Sequence, residues 1–259
     1  VTVALLEVNN VSKVFGGLSA VTNLKMKLEA GELVGLIGPN GAGKTTVFNL
    51  LTGVYQTSAG DIIFDGKNIA GKKPSAINQM GIARTFQNIR LFSDLSVLDN
   101  VRIAYHSHVA YKLPSAIFRF GSFYAEEEKM KARAIELLKI FNLDGKKDEI
   151  AKNLPYGEQR RLEIARALAT EPKFLLLDEP AAGMNPQETT ELMNLIRWIR
   201  DHFNLTILLI EHDMSLVMGC CERIYVLEYG RVIAHGDPET VKHNPKVIEA
   251  YLGEEVTYA

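Results

Sequence analysis

Gly38-Pro39-Asn40-Gly41-Ala42-Gly43-Lys44-Thr45 is the stretch on which the reading of this chain turns. Gly38, Gly41 and Gly43 let backbone N–H groups converge, and a lysine followed by a hydroxyl closes the run, which is the pattern of a phosphate-binding loop. The flanks fit that reading. Leu33 to Ile37 is an unbroken apolar run that predicts a buried strand, and Lys44 to Leu51 has helical apolar spacing. A loop between a strand's end and a helix's start offers backbone donors and the positive end of the helix to phosphate oxygens. Lys44, read as an exposed loop lysine, supplies a point charge to β/γ oxygens and Thr45 a hydroxyl to Mg²⁺, with Thr46 completing the phosphate-binding run.

On the N-terminal side, Leu5 to Val8, Leu24 to Leu28 and Ile62 to Phe64 read as short strands, and the turns Phe15-Gly16-Gly17 and Asp65-Gly66 predict hairpins. On the C-terminal side, the apolar runs Phe174 to Leu177, Thr206 to Ile210 and Ile224 to Leu227 predict buried strands. Between the first two lies a helix carrying Leu192, Leu195, Ile196, Ile199 and Phe203, for which Asn185-Pro186 is a good start. Strands joined by helices imply a parallel sheet, so the class is α/β. From Ser96 to about Leu154 the pattern is mostly helical, with Met130, Ala134, Leu137, Leu138 and Phe141 on one face, and Pro238 to Leu252 predicts short terminal helices. The expected organisation is one domain over 1–259: an antiparallel β part and loop core over 1–95, a helical subdomain over 96–170 and the rest of the core over 171–259.

Phe174 to Asp178-Glu179 is an apolar run ending in two carboxylates, as expected where a central strand delivers acids to the sheet's C-terminal edge. Asp178 is a candidate Mg²⁺ ligand and Glu179 a candidate general base for an attacking water. Leu205 to Ile210 followed by Glu211-His212 puts a histidine on the same edge, a candidate γ-phosphate contact.

With 29 Lys+Arg against 31 Asp+Glu, the net charge of −2 supplies no basic excess for a nucleic-acid backbone or an anionic membrane surface, and no nucleic acid is expected as a partner. Charges interrupt every apolar stretch before the roughly 18 to 20 residues a membrane span needs. The first residues lack a basic segment before Glu7, so no secretory signal is expected. Cys220 and Cys221 are adjacent and poorly placed for a structural disulfide, which predicts a reducing compartment, the cytosol by default.

Further residues, in this order, give the chain a resemblance to the ATP-binding subunits of ABC-type transporters. Gln87 follows the strand-like Ile82 to Phe86 where the family has its Q-loop glutamine, a catalytic and metal contact. Leu154-Pro155-Tyr156-Gly157-Glu158-Gln159 stands where the signature LSGGQ would be, with Gly157 and Glu158 as nucleotide contacts. Ala182-Gly183-Met184-Asn185 occupies the D-loop, and Phe15 lies where an aromatic meets adenine. Pro155, Tyr156 and Asn185 depart from the family pattern. With Gln-Arg-Arg-Leu-Glu-Ile-Ala after Glu158, and Ile248-Glu249-Ala250-Tyr251-Leu252-Gly253 near the end, they resemble bacterial branched-chain amino acid importers, with urea importers as near relatives.

The resemblance implies the P-loop NTPase core of the ABC type, ATP and Mg²⁺ as cofactors, and catalysis by Glu179, His212, Lys44 and Gln87. It also implies a second ATPase subunit, identical or distinct, two membrane permeases and, indirectly, an extracellular solute-binding protein, at the cytoplasmic face of the membrane. A soluble ATPase of the same family acting on DNA or ribosomes is the alternative, and the charge balance disfavours it. A GTP-driven switch lacks its Asn-Lys-x-Asp motif here. The aromatics from Tyr105 to Tyr124, among them Tyr111, Phe118, Phe120 and Phe123, read either as a permease-docking patch or as a small satellite core.

Overall fold

The computed structural model describes residues 4–106, 123–212 and 214–255, and for Ser215 and residues 252–255 the backbone alone. The chain divides into two compact units, Val1–Arg84 together with Lys173–Ala259, and Thr85–Pro172.

The first unit holds two sheets. Its antiparallel sheet has the order β2-β1-β4-β5, from β1 (Ala4–Phe15), β2 (Leu18–Glu29), β4 (Ala59–Phe64) and β5 (Lys67–Asn68). The predicted hairpin turns are present, with Gly16, Gly17, Asp65 and Gly66 all at positive φ. The first two strands are longer than the sequence suggests. Asn10 and Asn23 look like turn residues, yet each takes a left-handed conformation, at φ 53° and 49°, without ending its strand. The β1–β2 register shifts between Val8 and Val11 instead, so the polar pair Asn9-Asn10 sits in an irregularity of a continuing strand.

The second sheet has the order β10-β9-β3-β8-β7-β6, built from β3 (Leu33–Ile37), β6 (Ile82–Arg84), β7 (Phe174–Asp178), β8 (Thr206–Ile210), β9 (Arg223–Glu228) and β10 (Arg231–Gly236). All pairings are parallel except that of β10 with β9. Every residue of β3, β7 and β8 is buried, as expected of strands covered on both faces. The core between the sheets packs Phe48, Phe64, Leu36, Leu176, Leu208 and Leu227, each full burial contributing about 1.5–3 kcal/mol. Leu36 pairs with Ile210 and Ile210 with Asp178, so β3, β8 and β7 end in line and release their following loops at one edge.

The helix Pro186–Phe203 starts where predicted. Asn185 and Glu188 form a reciprocal capping box, Glu188 N to Asn185 Oδ1 at 2.9 Å and Asn185 N to Glu188 Oε2 at 3.0 Å, with Pro186 in the first turn. Asn185 therefore serves the helix start at the D-loop position. Short helices Pro238–Lys242 and Pro245–Glu255 end the described chain. Cys220 and Cys221 are buried free thiols with sulfurs 3.6 Å apart.

In the second unit the helices Val97–Tyr105, Phe123–Ile140 and Tyr156–Leu168 pack together. Met130, Ala134, Leu137, Leu138 and Phe141 are buried, the face the spacing predicts. Tyr111, Phe118 and Phe120 lie outside the described residues; Tyr105 is buried and Tyr124 exposed. Among the described residues, no helix is long and apolar enough to cross a membrane.

Candidate active site

The phosphate loop is moulded by its neighbours. Gly38 has φ 150°, and a side chain there would collide with Leu227 O of β9. Gly43, at φ 101°, caps the helix Lys44–Leu51, and a Cβ on it would stand 2.7 Å from Ala20 O of β2. Only glycine meets both demands, the backbone conformation and the close approach. The turn after β9 latches the loop from the other side: Gly230 N donates to Ala42 O at 2.9 Å, and Thr22 N to Gly230 O at 2.8 Å.

Lys44 corrects one expectation. It is 9 % exposed, not an exposed loop lysine, and its Nζ donates to Gly38 O at 2.5 Å and Pro39 O at 3.0 Å. Two of the loop's own carbonyls thus hold the ammonium. Thr45, Asn40 and Gly41 are exposed, Thr46 is half-buried and Ala42 buried.

At the ends of β7 and β8, three ionisable groups cluster. Glu179 has φ 46°, and its N–H donates to Ile210 O at 2.9 Å, so the chain turns sharply there and the half-buried carboxyl comes beside β8. His212 is largely exposed, with Nδ1 3.9 Å from Glu179 Oε2 and 3.9 Å from Glu211 Oε2, near neighbours beyond hydrogen-bond length. The structure thus brings Glu179 and His212 together, beside the end of the strand bearing Asp178.

Sequence reasoning passed over three residues of this region. Glu211 is 1 % exposed, and its Oε1 accepts from Ala181 N at 3.0 Å, tying the end of β8 to the loop after Glu179. Burial pushes its carboxyl above the ordinary range, partly offset by the Ala181 N–H. Arg84 donates through Nη2 to Asp178 Oδ2 at 2.7 Å and through Nη1 to Asn49 Oδ1 at 2.6 Å, joining β6 to the end of β7 and to the helix after the phosphate loop. Tyr55 meets Phe15 edge to face, centroids 5.1 Å apart, with Lys13 Nζ 4.8 Å from the Phe15 centroid. Phe15 is 39 % exposed, so an aromatic surface with a cation beside it stands open at the end of β1. Nothing in the spacing of Phe15 and Tyr55 signals that contact.

Gln87, Gly157 and Glu158 belong to the second unit. The strand predicted over Ile82 to Phe86 stops at Arg84 because the backbone of Phe86 is bonded to side chains: its N–H to Glu163 and its carbonyl to Arg160. Gln87 is exposed. Pro155 is the N-cap of the helix Tyr156–Leu168, with no side-chain cap bond; Gly157 is half-buried, and Glu158 is held by Lys146 at 2.7 and 2.8 Å.

Thr45 and Asp178 are hard oxygen donors of the kind that suit Mg²⁺, which takes few protein ligands beside phosphate and water. The chemistry of the donor set therefore fits that ion.

Comparison with known proteins gives a consistent picture. Residues 21–182 match the ABC transporter family, and residues 231–257 match the family described as branched-chain amino acid ATP-binding cassette transporter. The chain is 49% identical over 250 residues to the high-affinity branched-chain amino acid transport ATP-binding protein LivG of Escherichia coli K12, covering 96% of this chain and 98% of that one. Against BraF of Pseudomonas aeruginosa, which bears the same description, identity is 46% with the same coverage. The crystal structure of the ADP conformation of MJ1267, an ATP-binding cassette of an ABC transporter, superposes with a TM-score of 0.85 at 32% identity, covering 97% of this chain and 100% of that one.

Proposed function

The chain belongs to the ABC transporter ATP-binding family, and from that premise we propose that it is the ATP-hydrolysing subunit of an importer for branched-chain amino acids. The observation that carries this reading is the convergence, at one sheet edge, of the phosphate loop after β3, Asp178-Glu179 after β7 and His212 after β8, in a chain so close in sequence to LivG and BraF. Urea import, the alternative raised by the sequence, draws no support from either relative's description.

Each residue then has a defined task. Phe15, backed by Tyr55, offers its face to adenine. Backbone N–H groups between Asn40 and Thr46 cradle the phosphates, and Lys44 neutralises β/γ oxygens. Thr45 and Asp178, with Gln87 assigned by its place in the sequence, would hold Mg²⁺, which when bound neutralises charge on the phosphate oxygens. Glu179 takes a proton from the attacking water as general base, and His212 beside it stabilises the γ-phosphate. The chemistry is mainly positioning and electrostatics.

The segment Pro155 to Glu158 is read as completing the nucleotide site of a second, facing ATPase subunit, so that ATP closes the pair and hydrolysis reopens it. Two permeases at the cytoplasmic face of the membrane would feel both steps, and an extracellular solute-binding protein acts through them. The test is reconstitution with its cognate permeases and second ATPase. ATPase stimulation by binding protein loaded with leucine, isoleucine or valine is expected; stimulation by urea and not by these would overturn the assignment.

A further inference from the structure

Two charged side chains of the helix Tyr156–Leu168 are withdrawn from solvent and direct their hydrogen bonds to a backbone some seventy residues away. Arg160 is 0 % and Glu163 1 % exposed, and they pair one turn apart, Nη1 to Oε2 at 2.8 Å. Arg160 Nη1 also donates to Phe86 O at 2.6 Å and Nη2 to Gln87 O at 2.7 Å. Glu163 Oε1 accepts from Phe86 N and from Arg90 N, both at 3.3 Å. The pair therefore grips the backbone on both sides of Gln87.

Stability alone does not explain this. Burying two ions costs about as much desolvation as their attraction returns, and apolar residues of similar volume often do as well or better. What the charges supply is direction. A planar guanidinium fork fixes two carbonyls in place, and a carboxylate collects N–H groups that no aliphatic chain could hold. Arg160 also lies one turn beyond Gly157 in a continuous helix, so the helix start that carries Gly157 and Glu158 is tied through Arg160 to the backbone that carries Gln87.

We propose that the Arg160–Glu163 pair is a lever that couples the two nucleotide contacts of this subunit: the segment Pro155 to Glu158, which meets the ATP of the facing subunit, and Gln87, which meets its own. The proposal rests on the composite-site reading above. Arg160 and Glu163 are positioning residues, acting on nucleotide only through the segments they hold. Displacement at one contact displaces the other, and the coupling acts equally in both directions on binding.

The test replaces the pair by Arg160→Met with Glu163→Leu, which removes both charges together and leaves no unpaired buried ion. In the assembled transporter with the wild-type second ATPase, the dependence of hydrolysis on ATP concentration is measured, together with amide exchange of the peptide spanning residues 84–91. The wild type is expected to show a Hill coefficient between 1 and the two-site limit of about 2. The double variant is expected to fall toward 1, with faster exchange at Phe86 and Arg90 while the helix Tyr156–Leu168 stays protected. Faster exchange with a wild-type Hill coefficient would overturn the lever, and so would unchanged exchange. A wild-type complex without cooperativity would instead refute the composite-site reading on which the lever stands. Should the double variant fail to fold, Arg160→Lys keeps the charge but cannot span both carbonyls. An intermediate Hill coefficient then supports the lever, and an unchanged one overturns it.

Discussion

Arg84 and Asp178 form an ion pair at 2.7 Å whose side chains are 7% and 3% exposed, at the point where the parallel sheet delivers its acids. The same guanidinium reaches Asn49 in the helix after the phosphate loop and stands over the Phe48 ring, 5.4 Å from its centroid. One cation thus sets the Asp178 carboxylate relative to the loop that holds Lys44. The Mg²⁺-ligand role proposed for Asp178 calls for a carboxylate held in one orientation, and Arg84 holds it so.

Arg84→Met is expected to lower the unfolding free energy by about 3–5 kcal/mol, the range for stripping one partner from a buried pair and leaving the other charge uncompensated. Urea denaturation of the purified chain measures it. A loss below about 1 kcal/mol, the range for exposed pairs, would mean that water reaches Asp178 in solution.

Lys44→Ala is expected to abolish ATP turnover in the reconstituted complex, since it removes the charge held by the loop's carbonyls for the β/γ oxygens. Because Nζ is hydrogen-bonded to Gly38 O and Pro39 O, the change should also lower stability by about 1.5–3 kcal/mol, the range for hydrogen bonds made by a charged group. Turnover at the wild-type rate would remove Lys44 from the catalytic set.

These two residues mark the limits of what the sequence discloses. Glycine spacing, apolar runs and the placement of Asp178, Glu179 and His212 at strand ends are local signals, and local signals were enough for the α/β class and the site edge. Arg84 and Asp178 are 94 positions apart, and Arg160 and Phe86 are 74 apart. No periodicity links such pairs, and nothing local to an arginine signals a partner so distant in sequence. The left-handed Asn10 and Asn23 inside β1 and β2 are of the same kind, because a turn and a strand irregularity draw on the same backbone tolerance and the residue type alone does not distinguish them.

Glu179→Gln is expected to bind ATP and fail to hydrolyse it, so that the ATP-bound pair of subunits accumulates. Glutamine keeps the shape that the sharp turn at φ 46° accommodates and loses only the proton acceptor. Size-exclusion of the variant with ATP and Mg²⁺, alongside its native partner subunit, reads the outcome. Continued hydrolysis would transfer the base role to another group.

Glu211 predicts a pH dependence of stability. Burial raises its carboxyl in the folded state above the unfolded value, so the folded state binds more protons between the two values. Its contribution is fully present below the unfolded value and is lost as pH rises through the folded one. Glu211→Gln, which keeps an acceptor for Ala181 N–H, should match the wild type at acidic pH and melt higher near neutrality. Melting temperatures from acid to neutral pH test this. A gap that widened toward acid would reverse the assigned sign.

Pro155→Ser addresses the residue that departs furthest from the family signature, and the structure separates two effects that the sequence joins. Pro155 is the N-cap of the helix Tyr156–Leu168 and makes no cap bond. Serine there, three residues before Glu158, would create a capping box, contributing about 0.5–2 kcal/mol. Losing the proline costs about 0.4–1 kcal/mol through the unfolded chain, and Glu158 is already engaged by Lys146. Thermal stability of the single variant should therefore fall between a loss of about 0.5 and a gain of about 1.5 kcal/mol. Closure on the facing subunit's ATP, in the composite site proposed above, is a separate matter, because there a serine hydroxyl would add a donor toward the γ-phosphate that proline lacks. In a Glu179→Gln background, that donor should strengthen ATP-driven pairing by about 1.5–3 kcal/mol, lowering the ATP concentration at half-pairing by roughly tenfold or more. The titration is of dimer against ATP with the native partner subunit. A lower midpoint shows that the missing hydroxyl limits pairing, whereas an unchanged midpoint leaves Pro155 as a helix-start residue and refutes the donor-loss account.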